Sequence, residues 1–184
     1  LRADGMVLVG KNTTPEIAWK GVTDSPLTGV TRNPIDPRMT AGGSSGGASA
    51  VVAAGMAPVA VGTDAGGSIR IPASFCGIVG FKPTHGRVPM FPASPFGPLA
   101  HAGPITRTVD DAALLLDVIS QPDPRDPTAL DVPSTPFREQ ATRDVSGLHV
   151  AYSGTLGWID VDDEVARVCD AAVAAIDAAG MPVT

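Results

Sequence analysis

The chain has 184 residues, 43% of them hydrophobic and 17% charged, a balance that suits a folded domain with a real core rather than a disordered segment. Its net charge is −6 and no Lys/Arg run occurs, which argues against a nucleic-acid-binding surface. No apolar run approaches the roughly 18 residues of a membrane-spanning helix. Gly 21 and Pro 18 lie well above the average combined usage of about 12%. Much of that excess falls between residues 22 and 105, so tight loops are expected rather than a helix bundle. Cys76 and Cys169 are far apart without CxxC spacing, and are expected to be reduced core residues in a cytoplasmic protein.

In chain order, Met6 to Gly10 is a short apolar run and predicts a buried strand. Thr14, Pro15 and Glu16 supply an N-cap, a first-turn proline and an acid, predicting a short helix through Trp19. Residues 21 to 43 read as an ordered loop. Ala48 to Ala54, closed by Gly55, predicts a buried small-residue helix. Ala57 to Val61 predicts a strand, followed by the glycine-rich turn "GTDAGGSIRIP". Ser74 to Gly77 predicts a short helical piece, and Ile78 to Phe81 a strand. Residues 82 to 107 form a Pro-rich segment too long for a connection without function.

Thr108 to Asp111 predicts an Asp variant of the capping box, opening a helix through about Ile119. Residues 121 to 147 read as loop and Leu148 to Tyr152 as a strand. Asp162 caps a final helix with apolar positions at Val165, Val168, Cys169, Ala172, Ile176 and Ala179. Strands alternating with helices predict an α/β fold on a mixed or parallel sheet. The start at Leu1 and the close on "AAGMPVT" read as cuts through secondary structure, so a partial domain is expected.

Two serine-bearing loops carry the chemistry. Residues 42 to 47, "GGSSGG", match G-x-S-x-G at either Ser44 or Ser45. A hydrolase elbow needs a strand directly before the serine, and the prolines of "NPIDPRMTA" oppose one. A phosphate loop would need a Gly-Lys-Ser/Thr that does not follow. The second loop holds Ala65, Gly66, Gly67 and Ser68, whose successive N–H groups can converge as an oxyanion nest around a serine hydroxyl. Spacing alone also admits two tight packing turns.

Together the loops resemble the amidase signature family. The matching stretch is "GGSSGGASAVVAAGMAPVAVGTDAGGSIRIPASFCGIVGFKPTHGRV", residues 42 to 87. The flanks "GKNTTPEIAWKG" and "GPITRTVDDAALLLDVI" extend the likeness, which weakens after about residue 125. The resemblance implies one partial amidase-signature domain over 1–184, a mixed sheet flanked by helices. It implies cleavage of carboxamide C–N bonds through a Ser–Ser–Lys triad. Ser68 would be the acylated nucleophile and Ser44 the bridging serine after a cis Gly43–Ser44 bond. Ala65, Gly66, Gly67 and Ser68 would supply the oxyanion N–H groups. Ser45, Asp64 and Arg70 would support the loops.

The lysine of that triad is expected outside these 184 residues. Lys11 and Lys20 lie in the wrong motifs, and Lys82 reads as structural. No cofactor or metal is implied. The expected partner is a small-molecule amide, with no direct nucleic-acid contact and no membrane, and a homodimer is a possible assembly. Alternatives are a truncated non-catalytic product and the glutamine-hydrolysing component of a tRNA-dependent amidotransferase. His85 and His101 receive no role, Trp19 and Trp158 read as packing residues, and Asp110 and Asp111 as helix-start charges.

Overall fold

The structure, a computed structural model, describes residues 1–184 and divides into two units, Leu1–Ala141 and Thr142–Thr184. In the first unit the elements run β1 (Asp24–Ser25), β2 (Gly29–Val30), α1 (Gly46–Ala53), β3 (Val59–Asp64), α2 (Arg70–Cys76), β4 (Val79–Gly80), β5 (His101–Thr106), α3 (Val109–Ile119) and α4 (Phe137–Gln140). The central sheet has the order β3-β5-β4, with β5 antiparallel to both neighbours. Helices α1 and α3 pack on β3 and β5, and α2 packs on α1 and β4. The α/β class expected from the sequence is therefore the one observed, and the sheet's partners are helices.

The core follows from the small-residue pattern of α1. Ala48 and Val52 of that helix meet Ile69 and Ile105, all four essentially inaccessible to solvent. Each buried Ile or Val side chain contributes about 1.5–3 kcal/mol relative to exposure. Short side chains on α1 let it lie close to the sheet, which brings the loop before α1 beside the loop after β3.

β1, β2 and α4 fall in stretches read as loop, and β5 is the longest element the sequence reading missed, because Gly103 and Pro104 in its middle read as loop. Proline lacks the N–H that a sheet interior needs. Here the Pro104 carbonyl accepts from the Phe81 N–H at 3.0 Å, just past the end of β4 at Gly80. The N–H and C=O of a strand residue point the same way, so the missing donor faces the side where the β4 ladder has ended.

Other expectations shift. Met6 to Gly10 is not a strand; Val7 and Val9 are more than four-fifths exposed, and no other strand pairs with the run. The helix expected through Trp19 is one short 3-10 turn, Glu16–Ala18, with left-handed backbone at Ile17 and Ala18. α2 starts inside "IRIP", earlier than expected, with Pro72 in its first turn where a missing N–H costs little. The Thr108 cap is as expected: its hydroxyl oxygen accepts from the Asp111 N–H and donates to the Asp111 carboxylate.

In the second unit, α5 (Asp163–Ala178) opens at Asp162, whose carboxylate accepts from the Glu164 N–H at 2.9 Å. Leu148 to Tyr152 is not a full strand. It forms one parallel bridge, Val150 to Val183, flanked by hydrogen bonds from Val150 to Pro182 and from Tyr152 to Thr184. Parallel and antiparallel pairing thus both occur in the chain. On α5 the expected apolar stripe is only partly covered: Ile176 is half-buried, whereas Val165 and Val168 are exposed. Cys169 is exposed too, and unpaired, as is the buried Cys76.

Candidate active site

The first serine loop is held by its own backbone and by Thr23. The Gly43–Ser44 peptide bond is cis. Gly43 lies so close to the chain before it that a Cβ would sit 2.5–2.7 Å from backbone atoms of Val22. The Thr23 hydroxyl donates to the Gly42 carbonyl at 2.9 Å and also approaches the Ser44 carbonyl at 3.3 Å. It accepts from the Gly46 N–H at 3.1 Å. Thr23 is fully buried and was not singled out from the sequence, where no local signal marks it.

Ser45 and Ser44 face different ways. The Ser45 hydroxyl donates to the Thr63 carbonyl and accepts from the Thr63 N–H, both at 3.0 Å, tying the loop to the end of β3. Its backbone N–H donates to the Ser68 carbonyl at 3.2 Å, so the two serine loops are joined directly. Ser44 is buried and lines a cavity of about 100 Å³. Ser68 lines the same cavity, together with Thr63, Asp64, Ala65, Phe96, Ala100 and His101. No hydrogen bond joins the two hydroxyls.

Asp64 organises the second loop. Its carboxylate accepts from the N–H groups of Gly67 at 2.7 Å and Ile69 at 3.1 Å. Arg70 grips it in a fork, Nε to Oδ2 and Nη2 to Oδ1, each at 3.0 Å. Burial by itself raises a carboxyl pKa; here the guanidinium and the loop amides overcome it and hold Asp64 down at about 2. The ion pair leaves little net negative charge beside the cavity.

The same hydrogen bond corrects one expectation. The Gly67 N–H is committed to Asp64, so it is not free to meet an oxyanion. Gly67 instead supplies the turn, at φ +117°, that most residues resist. The N–H groups of Ala65, Gly66 and Ser68 remain without a partner in the chain.

None of the three lysines lines this cavity. Lys20 is paired with Asp24, the Lys82 ammonium donates to the Pro83 carbonyl at 2.8 Å, and Lys11 lines a different cavity, with Met6 to Gly10. The cavity wall also holds two features without an expected role. His101 has Nδ1 against the Leu99 carbonyl at 2.7 Å. Phe96 stacks with Trp19 at 5.7 Å between ring centres, on a Trp19 side chain that is otherwise largely solvent-exposed.

The family model for Amidase matches residues 1–184. The chain belongs to the amidase family. It is 48% identical over its whole length to an acylamidase of Rhodococcus erythropolis, covering 39% of that protein. It is 44% identical, again over its whole length, to the A component of the glutamyl-tRNA(Gln) amidotransferase of Macrococcus caseolyticus, covering 38% of it. Its structure superposes over its whole length on 6-aminohexanoate cyclic dimer hydrolase with a TM-score of 0.87 and 40% identity, covering 39% of that chain. The chain thus spans about two-fifths of the amidase-family proteins it matches. Across those residues the amidase fold holds both serine loops, and no helix is long and apolar enough to cross a membrane.

Proposed function

We propose that the protein carrying this chain cleaves carboxamide C–N bonds through an acyl-enzyme on Ser68. The observation that carries the reading is that Ser44 and Ser68 line one cavity while the Ser45 hydroxyl is occupied with β3. A serine hydroxyl attacks only when a base takes its proton. Ser44 relays that proton from Ser68 to a lysine contributed from outside these residues, whose burial keeps it neutral.

The Ser68 Oγ forms a bond to the amide carbon. Negative charge collects on the carbonyl oxygen, where the N–H groups of Ala65, Gly66 and Ser68 receive it. The C–N bond then breaks and the amine leaves with the proton returned through Ser44. Water releases the acyl group as a carboxylic acid and restores Ser68. Catalytic hydrogen bonds are often unformed without substrate, so separated hydroxyls are compatible with this relay. The reading includes a cytoplasmic setting, supported by unpaired Cys76 and Cys169.

The test is covalent labelling of the full-length protein with a serine-directed fluorophosphonate. Label is expected on Ser68 and lost in Ser68→Ala; undiminished labelling of that variant overturns the assignment. A second reading is an amidotransferase component that releases ammonia from glutamine for a partner, and the likeness to the amidotransferase of Macrococcus caseolyticus favours it. Glutaminase activity and stable co-purification with a second protein would select it over a free-standing amidase acting as a monomer or homodimer.

A further inference from the structure

The Pro-rich stretch between β4 and β5 supplies Met90, Ser94, Phe96 and Ala100 to the Ser44–Ser68 cavity. Met90 is the first of them in the chain. From the end of β4 at Gly80 to residue 96 the stretch forms neither helix nor strand. Backbone without a ladder of its own needs other partners to hold it in place.

The loop of residues 123–131 provides them. Asp126 Oδ2 accepts from the Met90 N–H at 2.8 Å. Its Oδ1 accepts from the Thr128 N–H at 2.8 Å and from the Thr128 hydroxyl at 2.7 Å. One oxygen thus closes the carboxylate's own turn, and the other holds Met90. The Met90 N–H, with Thr128, keeps the Asp126 carboxyl below the usual carboxylate range, so it is ionised at neutral pH. Neighbouring contacts tie the same two loops. The Leu130 N–H donates to the Gly86 carbonyl at 2.9 Å, and Arg87 Nη1 donates to the Asp131 carbonyl at 2.6 Å. The Arg125 guanidinium lies over the Phe91 ring at 4.7 Å. A Cβ on Gly86 would collide with the Thr128 carbonyl, so the loops meet backbone to backbone. Among these ties, only the one from Asp126 lands on a residue of the serine cavity.

We infer that Asp126 is a positioning residue: through the Met90 N–H it fixes the wall of the Ser44–Ser68 cavity, and with it the substituents that can reach Ser68. The inference rests on the Ser68 reading and extends it. Asp126 hydrogen-bonds Met90 and Thr128, and neither serine of the cavity nor its free loop amides. Its effect therefore falls on selectivity rather than on bond making. It follows Met90 by 36 residues, so the two loops that the sequence shows as separate Pro-rich connections act as one support.

The experiment follows labelling of Ser68 in the full-length protein by methanesulfonyl fluoride and by phenylmethanesulfonyl fluoride. Each puts a sulfonyl group on the Ser68 oxygen and releases fluoride, but only the second carries a ring that must fit against the wall. Asp126→Asn keeps the size of the side chain. Its one oxygen serves the two Thr128 donors, and its NH₂ meets the Met90 N–H donor to donor, so the tie is lost. The ratio of labelling constants, phenylmethyl over methyl, is expected to fall about tenfold, with the methyl constant kept within about threefold. Thr128→Val removes one bond to Asp126 but leaves the tie to Met90, and is expected to keep the ratio. Asp126→Ser retains the turn with a side chain too short for Met90, and should also lower the ratio, which keeps the test alive if Asp126→Asn does not fold. An unchanged or raised ratio in a folded Asp126 variant, or an equal fall in Thr128→Val, would overturn the positioning role. The two levels separate cleanly. Labelled Ser68 with an unmoved ratio refutes the role of Asp126 alone, and Ser68 left unlabelled by both reagents in the unsubstituted protein refutes the reading beneath it.

Discussion

At the scale of single residues, the site divides its serines by what each hydroxyl already touches. The Ser45 hydroxyl both donates to and accepts from Thr63, so it is anchored, while Ser44 lines the cavity. Ser44→Ala should therefore lower kcat by about 10²–10⁴, the usual worth of a positioned proton carrier, with stability little changed. Steady-state kinetics beside a thermal melt would check it, and an unchanged kcat would remove Ser44 from the proton path. Asp64 makes a different prediction. Its folded pKa is depressed to about 2, whereas an unfolded aspartate titrates near 3.9. The stabilisation is complete above about pH 4 and is lost as pH falls through about 2. With the Arg70 side chain 54% exposed, its size is on the order of 1–2 kcal/mol after screening. Urea titrations between pH 5 and pH 2 should show Asp64→Asn less pH-sensitive than the unsubstituted protein by about that amount; identical slopes would contradict the pairing. The residue identities behind this pair were legible in "GTDAGGSIR". What the motif did not reveal is that Asp64 takes the Gly67 N–H, because the same letters permit a free nest or an occupied one.

At the scale of elements, legibility followed local chemistry. The caps at Thr108 and Asp162 and the glycine-stopped α1 were readable, because their signals lie within a few residues of the feature. β5 was not, since the permission for Pro104 comes from the far end of β4, a tertiary fact. Met6 to Gly10 failed for the opposite reason: its composition suits a strand, but a strand needs a neighbour to pair with, and composition cannot supply one. Thr23 is the strongest case of a hidden support. It lies 19 to 23 residues before the groups it binds, beyond the reach of any local sequence pattern. Thr23→Val keeps its volume and removes the hydroxyl, leaving the Gly46 N–H and the Gly42 carbonyl buried without their partner. A loss of about 1–3 kcal/mol is expected by denaturant unfolding, together with a fall in kcat as the Ser44 loop loosens. A variant as stable and as active as the original would show that the loop holds its shape without the clamp.

At the scale of the whole molecule, the open question is where the base comes from. Within the chain the cavity offers two ionisable candidates, Asp64 and His101. Asp64 is engaged by Arg70 and by loop amides, and a carboxylate held at about 2 is a poor acceptor for a serine proton. His101 lies on β5 opposite Asp64 and spends Nδ1 on the Leu99 carbonyl, leaving one ring nitrogen. If His101 were the base, His101→Gln would cost about 10²–10⁴ in kcat and erase the acid limb of the pH–rate profile. If the base is a lysine outside these residues, the variant should keep kcat within about tenfold and retain that limb, because the titrating group is untouched. The second outcome is the one expected in the full-length protein. It would mean that the two loops read from the sequence hold the nucleophile, its relay and its oxyanion donors, and that the proton's destination is supplied from elsewhere in the protein. Loss of both rate and limb in His101→Gln, with Ser68 still labelled at high pH, would instead place the whole of the acid–base chemistry on this chain.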